Sequence, residues 1–367
     1  CDFLPILGND RGDWLCVRVG NDNSASEIIH WYHGGGDWIP WGRTLAEAIV
    51  FDNVRARLPG HRRDHAVSAE SENDRETPSD PNLIDWALNC LPEPAATELE
   101  SALKSNVHGT AFADLFLLHQ ISVAAVLCQL VISALENRLL PADLVAQWAN
   151  SDAQQTQRAL FDNRLLTESQ LIELTQRHQI DTDAIYAQQD WDAAIEFCSR
   201  ASSIAPELAW TWDVLGYGHE RAGRQDVAIQ AYNQGLRCSI FTDQTVRMRT
   251  HGFTSEGQKF SASRLIALGY RSDDQVNREY LKLMALQSAD ERREKIQHYF
   301  TKLARDSPSE SAHALWVRAG WDVGAEPMTA FAELLEHVAA AADSSGRSAA
   351  AVLAQTHRIC FQSRYGI

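Results

Sequence analysis

Over most of the chain, large apolar residues recur at spacings of three and four. Leu83, Ile84, Ala87, Leu88 and Leu91 begin the pattern, Pro92 interrupts it, and it resumes over 95–103. The richest stretch, 111–140, carries Phe112, Leu115, Phe116 and Leu118, then Val123, Val126, Leu127, Leu130, Val131 and Leu135. Such spacings predict helix, and the segment is too long for strand, so two helices are expected there. More helices are expected over 276–286, 291–304, 312–317, 328–342 and 349–361, with Pro308 as a break and 344–346 as a loop. The alanine-rich end suits a cap on a helical array.

The first 57 residues have another rhythm. Segments 13–19 and 28–33 are rich in aromatic and β-branched residues and flank turn formers at 21–24, which predicts two strands. Glycines 34–36 turn the chain into a short strand over 37–41. Thr44 then caps a helix over 45–51, with Glu47 at the third helical position of a capping box. Leu4–Gly8 reads as the approach to the first strand. Large apolar residues nearly vanish between 58 and 82, which predicts a polar tether. The expected division is a small α+β portion at 1–57, a linker at 58–82, a helical region at 83–172, repeats at 173–272 and a further helical region at 273–367.

Within 173–272 the pattern repeats at a fixed distance. Ala194, Cys198 and Ala201 fall 34 residues before Ala228, Tyr232 and Gly235, and one period later stand Ala262, Ile266 and Gly269. A period of this length predicts stacked helical hairpins, each burying its apolar face on the next. Gly216 and Ala228 are small where two helices of a hairpin would cross, while Trp212, Leu215 and Tyr232 would fill the space between them. Gly223 fits the turn. A weaker echo, 137–140 against 163–166, predicts two similar helix corners, with new helices starting at Pro141 and Thr167.

The run Trp212-x-x-Leu215-Gly216, then Ala228, Tyr232 and Gly235, resembles the tetratricopeptide repeat family, best over 208–237 and in degenerate form over roughly 175–270. The resemblance implies a mainly α, helical-repeat fold whose first helices line a concave groove for another protein or peptide. On that basis Trp210, Asp213, Tyr217, Glu220 and Arg221 are expected to face the groove. So are the residues one period on: Gln244, Arg247, His251, Thr254 and Ser255. The protein-binding candidates are Trp210, Asp213, Tyr217, Arg221, Arg247 and His251.

At the other end, Gly12-Asp-Trp-Leu-Cys16 and Trp31-Tyr-His33, followed by a glycine turn and a Thr-capped helix, resemble the C-terminal half of the SUKH superfamily over about residues 3–52. Tyr32 stands where that family usually has Asp. The resemblance implies a protein-binding module, in some members an immunity protein that neutralises a toxin. The family's leading helices and first strands have no counterpart here, so an upstream segment is expected.

Composition narrows the partners. A formal charge of −16 repels phosphate backbones and anionic lipid, so neither nucleic acid nor membrane is expected, and a basic protein partner is favoured. The most apolar run, 121–135, is too short and too polar to span a bilayer. The seven cysteines, Cys1, Cys16, Cys90, Cys128, Cys198, Cys238 and Cys360, never form a CxxC, which predicts buried free thiols and a cytoplasmic location. His30 and His33 are three apart on a strand, so they point to opposite faces and do not suggest a shared metal. No phosphate loop, nucleophile elbow or zinc-ligand pattern occurs, so neither cofactor nor catalysis is expected. The weak catalytic alternative rests on His108, Asp114 and His119. Three functions stay open: an interaction adaptor, an immunity protein against a toxin such as a basic nuclease, and an enzyme of the helical region.

Overall fold

A computed structural model describes residues 2–8, 13–31, 38–59, 81–135, 166–179, 189–238, 259–321 and 328–367. It opens with an antiparallel sheet in sequential order: β1 (Phe3–Gly8), β2 (Trp14–Val19), β3 (Ala25–Trp31) and β4 (Trp38–Gly42). β1 is a full edge strand and not merely an approach, because it pairs with β2 along its length, Leu4 opposite Val17 and Pro5 opposite Cys16. The Val19 amide donates to the Asp2 carbonyl at 2.7 Å. Alternation then turns the backbone of Pro5 outward, where a missing N–H costs no ladder bond.

The helix α1 (Leu45–Val54) starts as its sequence predicts. Thr44 Oγ1 accepts the Glu47 amide at 3.2 Å. The carboxylate of Glu47 accepts instead from the Arg43 amide, at 2.8 Å, one residue before the cap. Ala46, Ala48, Ile49, Val50, Phe51 and Val54 are all buried, so α1 is apolar on nearly every side. Such a helix must be covered all round. β3 and β4 cover part of it and α2 (Pro81–Asn89) another part. Phe51 meets Trp41 edge-on at 4.6 Å and Phe116 at 6.0 Å.

The apolar core therefore runs without a break from the sheet into the helices. Arg57 donates to the Leu103 carbonyl at 3.1 Å, and its own carbonyl accepts from Gly109 at 2.7 Å. The division expected at 58–82 is one of composition; packing crosses it, although 60–80 lie outside the described residues.

Then come α3 (Ala95–Lys104), α4 (Thr110–Leu118) and α5 (Val123–Leu135). The two helices expected in the long apolar stretch are both present. α5 packs on β4 and joins sheet to array. α6 (Glu168–His178) begins in a reciprocal capping box between Thr167 and Gln170; the corner expected at 137–141 lies outside the described residues. The remaining helices are α7 (Trp191–Ile204), α8 (Ala209–Arg221), α9 (Gln225–Gly235), α10 (Phe260–Ala267), α11 (Gln275–Met284), α12 (Ala289–Arg305), α13 (Ser309–Trp321), α14 (Met328–Ser344) and α15 (Ser348–Tyr365). From α7 onward each packs on the next, and α7 also packs on α5. The chain is mainly helical, as its pattern predicts. No helix among the described residues is long and apolar enough to cross a membrane.

Candidate functional site

Trp191 opens α7 and Gln225 opens α9, one period apart, and Ala194, Cys198, Ala201, Ala228, Tyr232 and Gly235 are all buried. In the third unit Ala262 is buried in α10, but Ile266 is exposed and Gly269 sits in the turn beyond the helix at φ +64°. The hairpin α8–α9 closes through Gly223 at φ +74°. The Tyr232 ring of α9 packs directly on the backbone of Gly216 in α8, leaving no room for a Cβ there.

The stripe expected to face a groove is covered in this fold. Trp210 is 1% exposed, and its indole N–H has no hydrogen-bond partner. Asp213 is buried and accepts a short hydrogen bond from Ser261 on α10. Tyr217, 3% exposed, lies between Trp191 and Phe260, with ring centroids at 5.7 and 5.8 Å. Arg221 is half-buried and stacks over Trp191 at 4.7 Å. Arg247 and His251, with Gln244, Thr254 and Ser255, lie outside the described residues. The physical reason is packing from both sides: α10 meets α8 at Asp213, Tyr217 and Glu220, while Trp191 on α7 meets Tyr217 and Arg221, and aromatic rings gain more from such cover than from water.

A polar network sits under this cover. Glu220 accepts from the Tyr232 hydroxyl at 2.8 Å and from Arg264 Nε at 3.2 Å, and a second Arg264 nitrogen closes a bidentate pair. Burial followed by the Glu220 carboxylate raises the Tyr232 phenol; burial would lower Arg264, but the hydrogen bond to Glu220 and the Glu220 charge, with smaller contributions from Tyr232 and Tyr217, together outweigh it, so its guanidinium is raised. Lys259 is buried and donates to the carbonyls of Leu236 and Cys238, just past the end of α9, where orphan carbonyls need donors. Arg264 and Lys259 escape a reading by period, because each acts on a helix other than its own. Gly235 marks a neighbouring contact instead: a Cβ there would press on Ser261 Oγ and would lie 3.2 Å from Asp213 Oδ1.

The exposed chemistry lies elsewhere. On the edge strand Leu4 is 47% exposed, and Ile6 and Leu7 are exposed beside it. Trp14, 38% exposed, lays its ring over Gly8. Of the other tryptophans in the sheet, Trp41 is buried and Trp31 and Trp38 are half-buried. Phe3 meets Trp38 edge-on at 5.2 Å, and Arg18 stacks on the same indole at 4.9 Å.

The weaker candidates do not converge. His108 bonds Asn106 and His119 bonds Glu98, each at 2.9 Å, while Asp114 is exposed. His30 is buried against Trp41 at 4.7 Å, and burial, with Arg55 nearby, pushes its imidazole down to about 3. His33 lies outside the described residues. Among the described residues no group of His, Cys, Asp and Glu could hold a metal ion. Of the described cysteines, Cys16, Cys128, Cys198 and Cys238 are buried and Cys90 and Cys360 are exposed. No family model, curated protein or solved structure matches this chain.

Proposed function

We propose that this protein is an interaction scaffold that binds another protein through the edge of its sheet. One observation carries the reading: Leu4, Ile6 and Leu7 are exposed side by side along the edge strand. Single exposed apolar residues are ordinary, but a contiguous group marks a contact surface. The SUKH-like and tetratricopeptide-like resemblances both point to protein binding and agree with it. The stripe on α8 would then support the hairpin, with its half-buried members Glu220 and Arg221 at its margin.

The test is a photo-crosslinker placed at Ile6, exposed between the two leucines, in the full chain, with Leu4→Glu/Leu7→Glu and Arg221→Ala as variants. The reading expects a discrete adduct that the double variant abolishes and Arg221→Ala spares. An adduct unaffected by Leu4→Glu/Leu7→Glu would overturn it.

A second reading, an immunity protein against a basic toxin, rests on the charge of −16. That surplus would speed association with a cationic partner and make the rate fall with salt. Rescue of cells that express a toxin encoded beside this gene would support it; no rescue and a salt-independent rate would end it.

A further inference from the structure

The helices form a row. From α7 to α15 contacts run from each helix to the next, with α10 also reaching back to α8, and the row starts at the sheet through β4, α5 and α7. The far end of the row nevertheless returns to the sheet. Asn23, in the β2–β3 turn at φ +65°, donates through Nδ2 to the Gly346 carbonyl at 3.0 Å. Its Oδ1 accepts from the Ala349 amide at 2.9 Å, across 326 residues of sequence. The N-terminus of α15 has no side-chain cap of its own, so the sheet supplies one.

The corner it grips is rigid. After α14 the Arg347 amide bonds the Ala342 carbonyl and the Gly346 amide bonds that of Asp343, which closes a Schellman turn with Gly346 at φ +77°. Arg347 then donates to His313 Nδ1 at 2.8 Å and to the Asp2 carboxylate at 3.2 Å. Ala342, Ala350 and Ala351 cluster apart from the main core. Among the described residues, the bonds that join sheet to corner are thus polar, and those of Asn23 are exposed.

We propose that Asn23, Asp2 and the α14–α15 corner form a separable clasp that holds the chain closed end to end and whose release opens the row of helices. Exposed hydrogen bonds of this kind each contribute little, because water can replace them, whereas each helix keeps its apolar neighbours whether the clasp is shut or open. Small rotations between successive helices add along a row, so loss of one clasp separates the ends widely. The device is independent of which partner the sheet edge takes.

The experiment uses the full chain with Asn23→Ala/Arg347→Met. Hydrogen exchange at the Ala349 amide should quicken by about tenfold, the factor that roughly 1.4 kcal/mol represents. The radius of gyration should rise, and protection in α8 and α9 should stay as in the wild type. Raising salt on the wild-type protein should move the first two readouts the same way by screening Asp2 from Arg347. Unchanged exchange at Ala349, or an unchanged radius in both variant and high salt, would overturn the clasp. Loss of protection in α8 and α9 would overturn it too, by making the contact part of the core.

Discussion

Gly216 lies under the ring of Tyr232, which presses on its backbone from α9. Tyr232 is itself fully buried and tied to Glu220, so it cannot swing aside at low cost. Gly216→Ala should therefore destabilise the protein by about 1–3 kcal/mol, the usual range for overpacking, read as a lower denaturant midpoint at unchanged slope. Gly223 is constrained differently: nothing stands within reach of a Cβ, but its φ is +74°. Gly223→Ala should cost about 1 kcal/mol through backbone strain alone. His30 governs a pH effect. Its imidazole is neutral in the fold down to about 3, while in the unfolded chain it titrates near its ordinary value of 6.5. Between those values the unfolded chain binds the extra proton, so stability falls as pH falls, by up to roughly 1.4 kcal/mol per unit. His30→Phe should flatten that limb of the stability–pH curve; an unchanged limb would assign it to other groups.

The elements α8, α9 and α10 are joined by polar contacts as well as apolar ones. Glu220 on α8 holds Tyr232 on α9 and Arg264 on α10 together. Side chains of Glu220 and Arg264 are mostly buried, at 18% and 25% exposure, so removing one leaves the other's charge poorly solvated. A double-mutant cycle of Glu220→Gln with Arg264→Met should return a coupling of about 1–3 kcal/mol; additivity would show that α10 is held by its apolar contacts alone. At this scale the small-residue register was legible in advance. Ala194, Ala201, Ala228 and Ala262 are buried as the period demands, because helix crossing depends on local spacing. The orientation of the aromatic stripe was not legible. Trp210 and Tyr217 on a polar background look alike whether they face a ligand or a neighbouring helix, and only the packing of the neighbouring helices separates the two.

At the scale of the whole molecule, sheet and helices form one core. Phe51 needs Phe116, and α1 needs cover that the sheet alone does not supply. A fragment of residues 1–59 should therefore lack a cooperative unfolding transition. In the full chain, near-UV signals from Trp41 should melt together with far-UV helix signals. Two separated transitions would restore the tethered-module picture that the polar stretch at 58–82 suggests.

Taken by itself, the sequence determined what depends on residues near one another in the chain. Apolar spacing placed the helices, Thr44 and Thr167 marked their starts, Gly223 marked a hairpin turn, and the period of 34 marked the crossings. The tertiary structure alone decided what depends on distant partners. It paired β1 with β2, packed the α8 stripe against α7 and α10, joined the sheet to α5 and brought Asn23 to the start of α15. Hydrogen-bond spacing and side-chain periodicity repeat within a few residues and so leave a pattern along the chain. A contact across 326 residues does not repeat, and the side chains that make it look like any others on a turn or a helix end.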